Sequence, residues 1–334
     1  LMSRAVGKPV RVQWMRDDEH GWSPKGPAQL ITVRASVDDA GNVTAWDYMD
    51  RSFPWTENGN PLLASRQIGR KPATMGNPNG TGGGGQIYNF EHQRVVAALV
   101  PWQWPDPMPL RTSNLRAPGD VARCFASECA IDEIAANAGS DPVAFRLQYL
   151  KDKRLVDVLN AATGRANWKA RKSPAPVGRS NKVSGRGVAV ADRSNTMTAV
   201  VAEAEVDKGT GKIKVNRITL SHDCGLIVNP DGLTMQIEGN VIHGVSRTLF
   251  EEVRFDASGI QSLDWLSYPV AHFPDVPDMD VVLVNRKDMP SLGGGEPSLV
   301  PVPAAIANAV FDATGVRFRE VPITPERVLK ALKS

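Results

Sequence analysis

Ser291-Leu292-Gly293-Gly294-Gly295-Glu296-Pro297, with PVPAAIANAVFDATG following at 301–315, is the stretch on which the reading of this chain turns. Three consecutive glycines let backbone approach a bulky group without side-chain clash. The proline after Glu296 favours an extended chain at that residue, so a single carboxylate is expected on a rigid elbow ahead of an apolar helix that Gly315 stops. Such a carboxylate, if buried, has its pKa raised and suits a general base near neutral pH. A solvated loop glutamate fits the same residues.

Working outward, MDVVLV (279–284) predicts a strand, and Asp256-Ala257-Ser258-Gly259 a hairpin turn. Asn229-Pro230 caps a helix whose Leu233, Ile237, Val241, Val245 and Leu249 share one face. Strands are expected at GVAVA (187–191), TAVVAEAEV (198–206) and KIKVNRITL (212–220), and a last helix after Thr324-Pro325. Arg171–Arg186 is polar, basic and aperiodic, and reads as a linker between residues 1–170 and 187–334. In the first part, helical spacing over 121–137 ends at Gly139, and Asp141-Pro142 opens another helix. LITVRASV (30–37) and VTAWDYM (43–49) pair across a polar turn, and a Gly/Pro/Asn-rich irregular segment follows over 50–90. Hairpins recur and strands alternate irregularly with helices, so the fold class is α+β, with mixed sheets and packed helices.

At 334 residues the chain holds about two domains' worth of sequence. Its 42% hydrophobic and 22% charged residues are those of a globular protein. A net charge of +3 from scattered basic residues argues against a nucleic-acid partner. No apolar run approaches the roughly 18 residues of a membrane span. Glycine (29) and proline (25) are in excess, so loops carry much of the chain. Cys124 and Cys129 have the first spacing of a plant-type iron–sulfur site, but Asp132 stands where the third cysteine belongs, so no cluster is expected in this chain. The five histidines lack metal-ligand spacing, and His222-Asp223-Cys224 reads as the end of a strand. Phosphate-loop, serine-hydrolase, zinc-protease and dinucleotide fingerprints are absent. The opening LMSRAVGKPVRVQW has no export-signal pattern and reads as the middle of a longer polypeptide.

Two further candidates stand out. Arg116, in Asn114-Leu115-Arg116-Ala117-Pro118-Gly119 ahead of a helix, suits an anion, or else a local carboxylate. Gln236, about a turn into the capped helix, either hydrogen-bonds a ligand or packs and caps. Tyr88, Trp102 and Trp104 are aromatic candidates for substrate contact, with ordinary packing as the alternative.

Taken in order, LRAPGD, ECAIDEIA with DPVAFRLQYL, DCGLIVNPDGLTMQIEGNVIHG, and GGGEP with PAAIANAVFDATGVRFREVPIT resemble the C-terminal half of the molybdenum-binding subunit of the xanthine oxidase family. The resemblance runs from GKPVRVQWMRDDE to the last helix and is strongest to bacterial isoquinoline, nicotinate and aldehyde oxidoreductases. It implies a molybdenum hydroxylase whose metal is held by the dithiolene of a molybdopterin, in the cytosine dinucleotide form, with no side-chain metal ligands. Glu296 then matches the family's base, which takes a proton as water-derived oxygen attacks an electron-poor carbon of an aldehyde or N-heteroaromatic substrate. Leu115, Arg116, Ala117, Gln236, Gly294 and Gly295 match cofactor-binding positions. The partners implied are the N-terminal half of the subunit or an equivalent chain, and an iron–sulfur subunit or cytochrome c that takes the electrons. One departure is that the family's earlier glycine motif is missing ahead of the GKPVRVQW region, and Gly82–Gly85 do not replace it. The chain is thus expected to carry the base and part of the cofactor cradle. The alternative is a catalytically silent assembly or binding module.

Overall fold

The computed structural model describes residues 1–53, 87–100, 110, 112–176 and 180–333. In chain order the elements are α1 (Met2–Val6), α2 (Arg16–Trp22), β1 (Gln29–Val37), β2 (Val43–Ser52), β3 (His92–Leu99), α3 (Asp120–Asn137), α4 (Pro142–Tyr149), α5 (Lys153–Arg165), β4 (Lys182–Arg193), β5 (Thr196–Asp207), β6 (Ile213–Asp223), α6 (Pro230–Leu249), β7 (Phe255–Asp256), β8 (Gly259–Ile260), β9 (Asp278–Leu283), α7 (Val302–Thr314) and α8 (Pro325–Ala331). One sheet has the order β1-β2-β3 and another the order β4-β5-β6-β9, with β7 and β8 forming a small ribbon. β1/β2, β4/β5 and β5/β6 pair antiparallel, whereas β2/β3 and β6/β9 are parallel, so both larger sheets are mixed and the fold is α+β as expected. No helix among the described residues is long and apolar enough to cross a membrane.

The β4–β5–β6–β9 sheet is buried on both faces. Ala189, Val200, Ala202 and Ala204 point into a core shared with Ile237, Val241 and Val245 of α6 and Val302, Ile306 and Val310 of α7. Val188, Val190, Ala199 and Val201 point the other way, into a core with Trp46 and Tyr48 of β2 and Leu155, Val158 and Leu159 of α5. Period-2 alternation therefore serves two layers at once. Every residue of α7 is buried. It lies so close to β4 that a Cβ on Gly187 would stand 2.2 Å from Ala305 O and from Ala309 N. Gly185 is equally tight, 2.3 Å from Ala309 O.

Most predicted elements are present within a few residues, and caps explain their ends. Asp141 accepts from the Val143 and Ala144 amides, and Asn229 from that of Gly232. Four elements, α1, α2, α5 and β3, have no counterpart in the sequence reading. Helix α5 opens on Asp152, whose side chain accepts from Arg154 N, inside a Lys-Asp-Lys run with no glycine or proline to mark it. Strand β3 is the parallel partner of β2, a pairing that local patterning does not encode. Among the described residues of 171–186, β4 begins at Lys182, and the Arg171 guanidinium, Ser173 Oγ, Ala175 N and Arg186 N all converge on the buried Asp312 of α7. Two side chains, Arg171 and Ser173, and two backbone amides of this segment thus meet on one carboxylate. Most of the irregular 50–90 segment, with Trp102 and Trp104, lies outside the described residues. Tyr88 is buried and donates to Glu128 Oε1 at 2.5 Å, so it packs in the core rather than lining a site.

The glycine contacts make a direct prediction. Gly187→Ala, which must displace helix backbone, lowers stability by about 3 kcal/mol in denaturant unfolding. Gly164→Ala, in α5 with open space around it, raises stability by roughly 0.5–1 kcal/mol.

Candidate active site

The glycine loop runs from β9 to α7 and is gripped along its whole length. Leu292 N donates to Cys224 O at 2.8 Å. Thr196 Oγ1 donates to Gly293 O at 2.9 Å. Gly295 O accepts from Arg116 Nε at 2.7 Å and from Asn240 Nδ2 at 3.2 Å. Glu296 is not extended as the following proline predicts: its φ of −127° and ψ of −33° bend the chain into a 3₁₀ turn, Pro297–Leu299, in which Leu299 N donates to Glu296 O. That turn delivers the chain into α7.

Both carboxylate oxygens of Glu296 are engaged. Oε1 accepts from Ala117 N at 3.1 Å, and Oε2 from Arg193 Nε at 2.9 Å and Nη2 at 2.5 Å. Partial burial pushes this carboxyl up, but the Arg193 guanidinium, the Ala117 amide and the nearby Arg116 charge together outweigh it. Glu296 therefore lies below the usual carboxylate range, which reverses the raised value expected of a buried base. The side chain is 40% exposed, and burial alone does not dominate.

Arg116 ties the site together. Besides Gly295 O it donates from Nη2 to Gln236 Oε1 at 2.8 Å, while its own carbonyl accepts from Arg247 Nη1 at 2.9 Å. Ala117 turns its amide towards Glu296 with φ at 60°, an unusual value for a residue with a Cβ. Leu115 is 41% exposed and borders a cavity of about 1010 Å³ also lined by Lys25, Arg247, Glu251 and Tyr268. Gln236 pairs with Arg116, and the helix is capped by Asn229 instead. The structure thus gathers Arg116, Ala117, Gln236, Gly294, Gly295 and Glu296 in one place, with Leu115 at the rim.

The surroundings leave space against the loop at Gly293 and polar atoms beneath it. Gly293 has open space where a Cβ would be, and a Cβ on Gly294 would collide with Leu233 Cδ1 at 2.5 Å. Beneath, His222 Nδ1 bonds Ser298 Oγ at 2.7 Å, while the buried His222 Nε2 and Asn240 Oδ1 have no protein partner. Buried polar atoms left open beside a bare backbone fit a ligand that carries its own donors and acceptors. No group of three His, Cys, Asp or Glu among the described residues is placed to hold a metal ion.

A molybdopterin cofactor-binding domain matches residues 126–277, which include Gln236 and Arg193 but neither Arg116 nor Glu296. The sequence is 41% identical to a nicotinate dehydrogenase subunit from Pseudomonas putida over 99% of this chain and 28% of that protein. Along nearly its whole length the chain is thus similar to the molybdenum-binding subunits of the xanthine oxidase family. To the beta subunit of isoquinoline 1-oxidoreductase from Brevundimonas diminuta the identity is 29%, over 96% of this chain and 39% of that one. Quinoline 2-oxidoreductase from Pseudomonas putida 86 has the same fold, with a TM-score of 0.79 at 15% identity, covering 100% of this chain and 65% of that one. The chain thus spans under half the length of the two sequence relatives and about two thirds of the structural one. Molybdopterin with molybdenum is the cofactor its family binds.

Several residues of the site escaped the sequence reading. His222, read as a strand end, lies under Gly294. Arg193 and Thr196 flank the turn between β4 and β5, whose Ser194 and Asn195 have φ of 52° and 64°. The Ser-Asn pair signals a tight turn, but nothing local indicates that its neighbours reach a loop a hundred residues on.

Burial holds the His222 imidazole down at about 4, against the weaker upward pull of Asp223. Below its ordinary 6.5 the unfolded chain binds a proton that the folded chain refuses, so stability falls as pH falls through this window. Denaturant unfolding from about pH 7 to about pH 4.5 loses up to roughly 3 kcal/mol from this group. His222→Asn flattens that slope, and an unchanged slope assigns the titration elsewhere.

Proposed function

We propose that this chain carries the base and part of the cofactor cradle of a molybdenum hydroxylase. The complete enzyme oxidises an aldehyde or N-heteroaromatic carbon with oxygen from water. The observation that carries this reading is the Glu296 carboxylate, held by Arg193 and the Ala117 amide at the end of the glycine loop and beside Arg116 and Gln236. Molybdopterin, in its cytosine dinucleotide form, supplies the two-electron redox chemistry when bound. Within this proposal residues 1–170 and 187–334 are the two parts of the cofactor-binding region.

The chain's own residues position and move a proton. Gly293–Gly295 let the cofactor approach, Arg116 and Gln236 offer it polar contacts, and Leu233 fixes how close the loop comes. Glu296 accepts the proton that the attacking oxygen must lose. Its lowered pKa keeps it in the accepting form at neutral pH, and exclusion of water by bound cofactor and substrate raises its basicity for the step. Electrons leave to a separate iron–sulfur or cytochrome partner, and another polypeptide or segment completes the cradle. The relatives' names, which include nicotinate dehydrogenase and isoquinoline oxidoreductase, support the substrate class.

In the assembled enzyme, Glu296→Gln lowers kcat by at least about 100-fold while molybdenum content per chain is retained. Retained turnover removes Glu296 as the base. Arg116→Ala loses cofactor, read as molybdenum per chain after purification. A wild-type assembly that never contains molybdenum favours a silent binding module.

A further inference from the structure

We propose that Arg193, anchored by Asp120, is the positioning residue that aims the Glu296 carboxylate. The catalytic weight of this inference rests on the reading of Glu296 as the base, whereas the hold itself is a property of this chain. The planar Arg193 fork places Nε and Nη2 on Glu296 Oε2 and Nη1 on Asp120 Oδ2, so one guanidinium bridges two carboxylates. With Ala117 N on Oε1, the carboxylate is fixed from both sides and Oε1 keeps a free lone pair for a proton.

The anchor reaches into the core. Asp120, in the first turn of α3, also accepts from Arg123 Nη1 at 3.3 Å, and Arg123 Nε donates to the buried Asp50 of β2 at 3.0 Å. Arg193 is the last residue of β4 and pairs directly with Thr196 across the Ser194-Asn195 turn. Thr196 in turn holds Gly293 O. A single tight turn therefore fixes the start of the glycine loop through Thr196 and its end through Arg193. The charged and titratable groups around Glu296 are Arg193 from β4, Arg116 ahead of α3, Asp120 on α3, His222 on β6 through Ser298, and Arg247 on α6 through Arg116. Of the cations, Arg193 is the one that touches the carboxylate oxygens of Glu296.

The test is a carboxyl titration by ¹³C NMR of the full chain, with the Glu296 signal identified by its loss in Glu296→Gln. Arg193→Gln raises the Glu296 midpoint by about one unit or more. Arg193→Lys, which keeps the charge without the fork, recovers most of that shift. In the assembled enzyme Arg193→Lys lowers kcat about tenfold with KM within about twofold, and Arg193→Gln also moves the acid limb of the pH profile upward. An unchanged midpoint in Arg193→Gln overturns the inference. Where Arg193→Gln does not fold, Arg193→Lys decides, and wild-type midpoint and kcat together overturn it. A shifted midpoint alongside an active Glu296→Gln enzyme removes the base assignment but leaves the Arg193 hold. An unchanged midpoint with an inactive Glu296→Gln enzyme does the reverse.

Discussion

The close seating of α7 on β4 is the constraint from which the rest follows. Gly185 and Gly187 let helix backbone come within contact of strand backbone, and an alanine at either would push the two apart. Because α7 is buried on every side, its axis has no freedom once that contact is made. The glycine loop leads straight into α7, so its position is inherited from the same contact. Asp312, on the far half of α7, collects Arg171, Ser173, Ala175 and Arg186 and fastens the remaining polypeptide to the same helix.

The site is electrostatic in character rather than merely secluded. A chain of alternating charge runs from Asp50 through Arg123, Asp120 and Arg193 to Glu296, linking β2, α3, β4 and the glycine loop. The inner members are paired on both sides, Asp50 is backed by the Gln29 and Ser52 side chains and Glu296 by the Ala117 amide, and that makes burial of so much charge tolerable. Its last carboxylate is partly open to solvent, where a hydroxyl-bearing ligand has access to it. The neighbouring His222 is the opposite case: it is neutral, buried, and has one nitrogen left unmatched by protein.

Elements with local signals were legible in the sequence: helices opened by Asp141-Pro142, Asn229-Pro230 and Thr324-Pro325, hairpins with polar turns, and the apolar run of α7. Part of what escaped depends on partners distant along the chain, as strand β3 does on its parallel neighbour, whereas α5 has only a weak local signal, one aspartate cap among lysines. The same division holds in the site. Glu296, Arg116 and Gln236 are legible from their motifs, while Arg193, Asp120 and His222 are placed by sheet register and helix packing. The raised pKa expected for Glu296 failed for a related reason, since isolation in a glycine loop is visible locally and an arginine 103 positions away is not.

The two-residue turn at Ser194-Asn195 has an evolutionary consequence. Side chains alternate faces along β4, so adding or deleting one residue before the turn would swing position 193 to the opposite face and carry Thr196 out of register. Point changes in this hairpin remain open to drift wherever volume is respected, but its length does not. Chains that share this arginine clamp are therefore expected to vary freely in loop sequence here and to be intolerant of insertions and deletions, so that a gap-free hairpin marks the arrangement more reliably than residue identity.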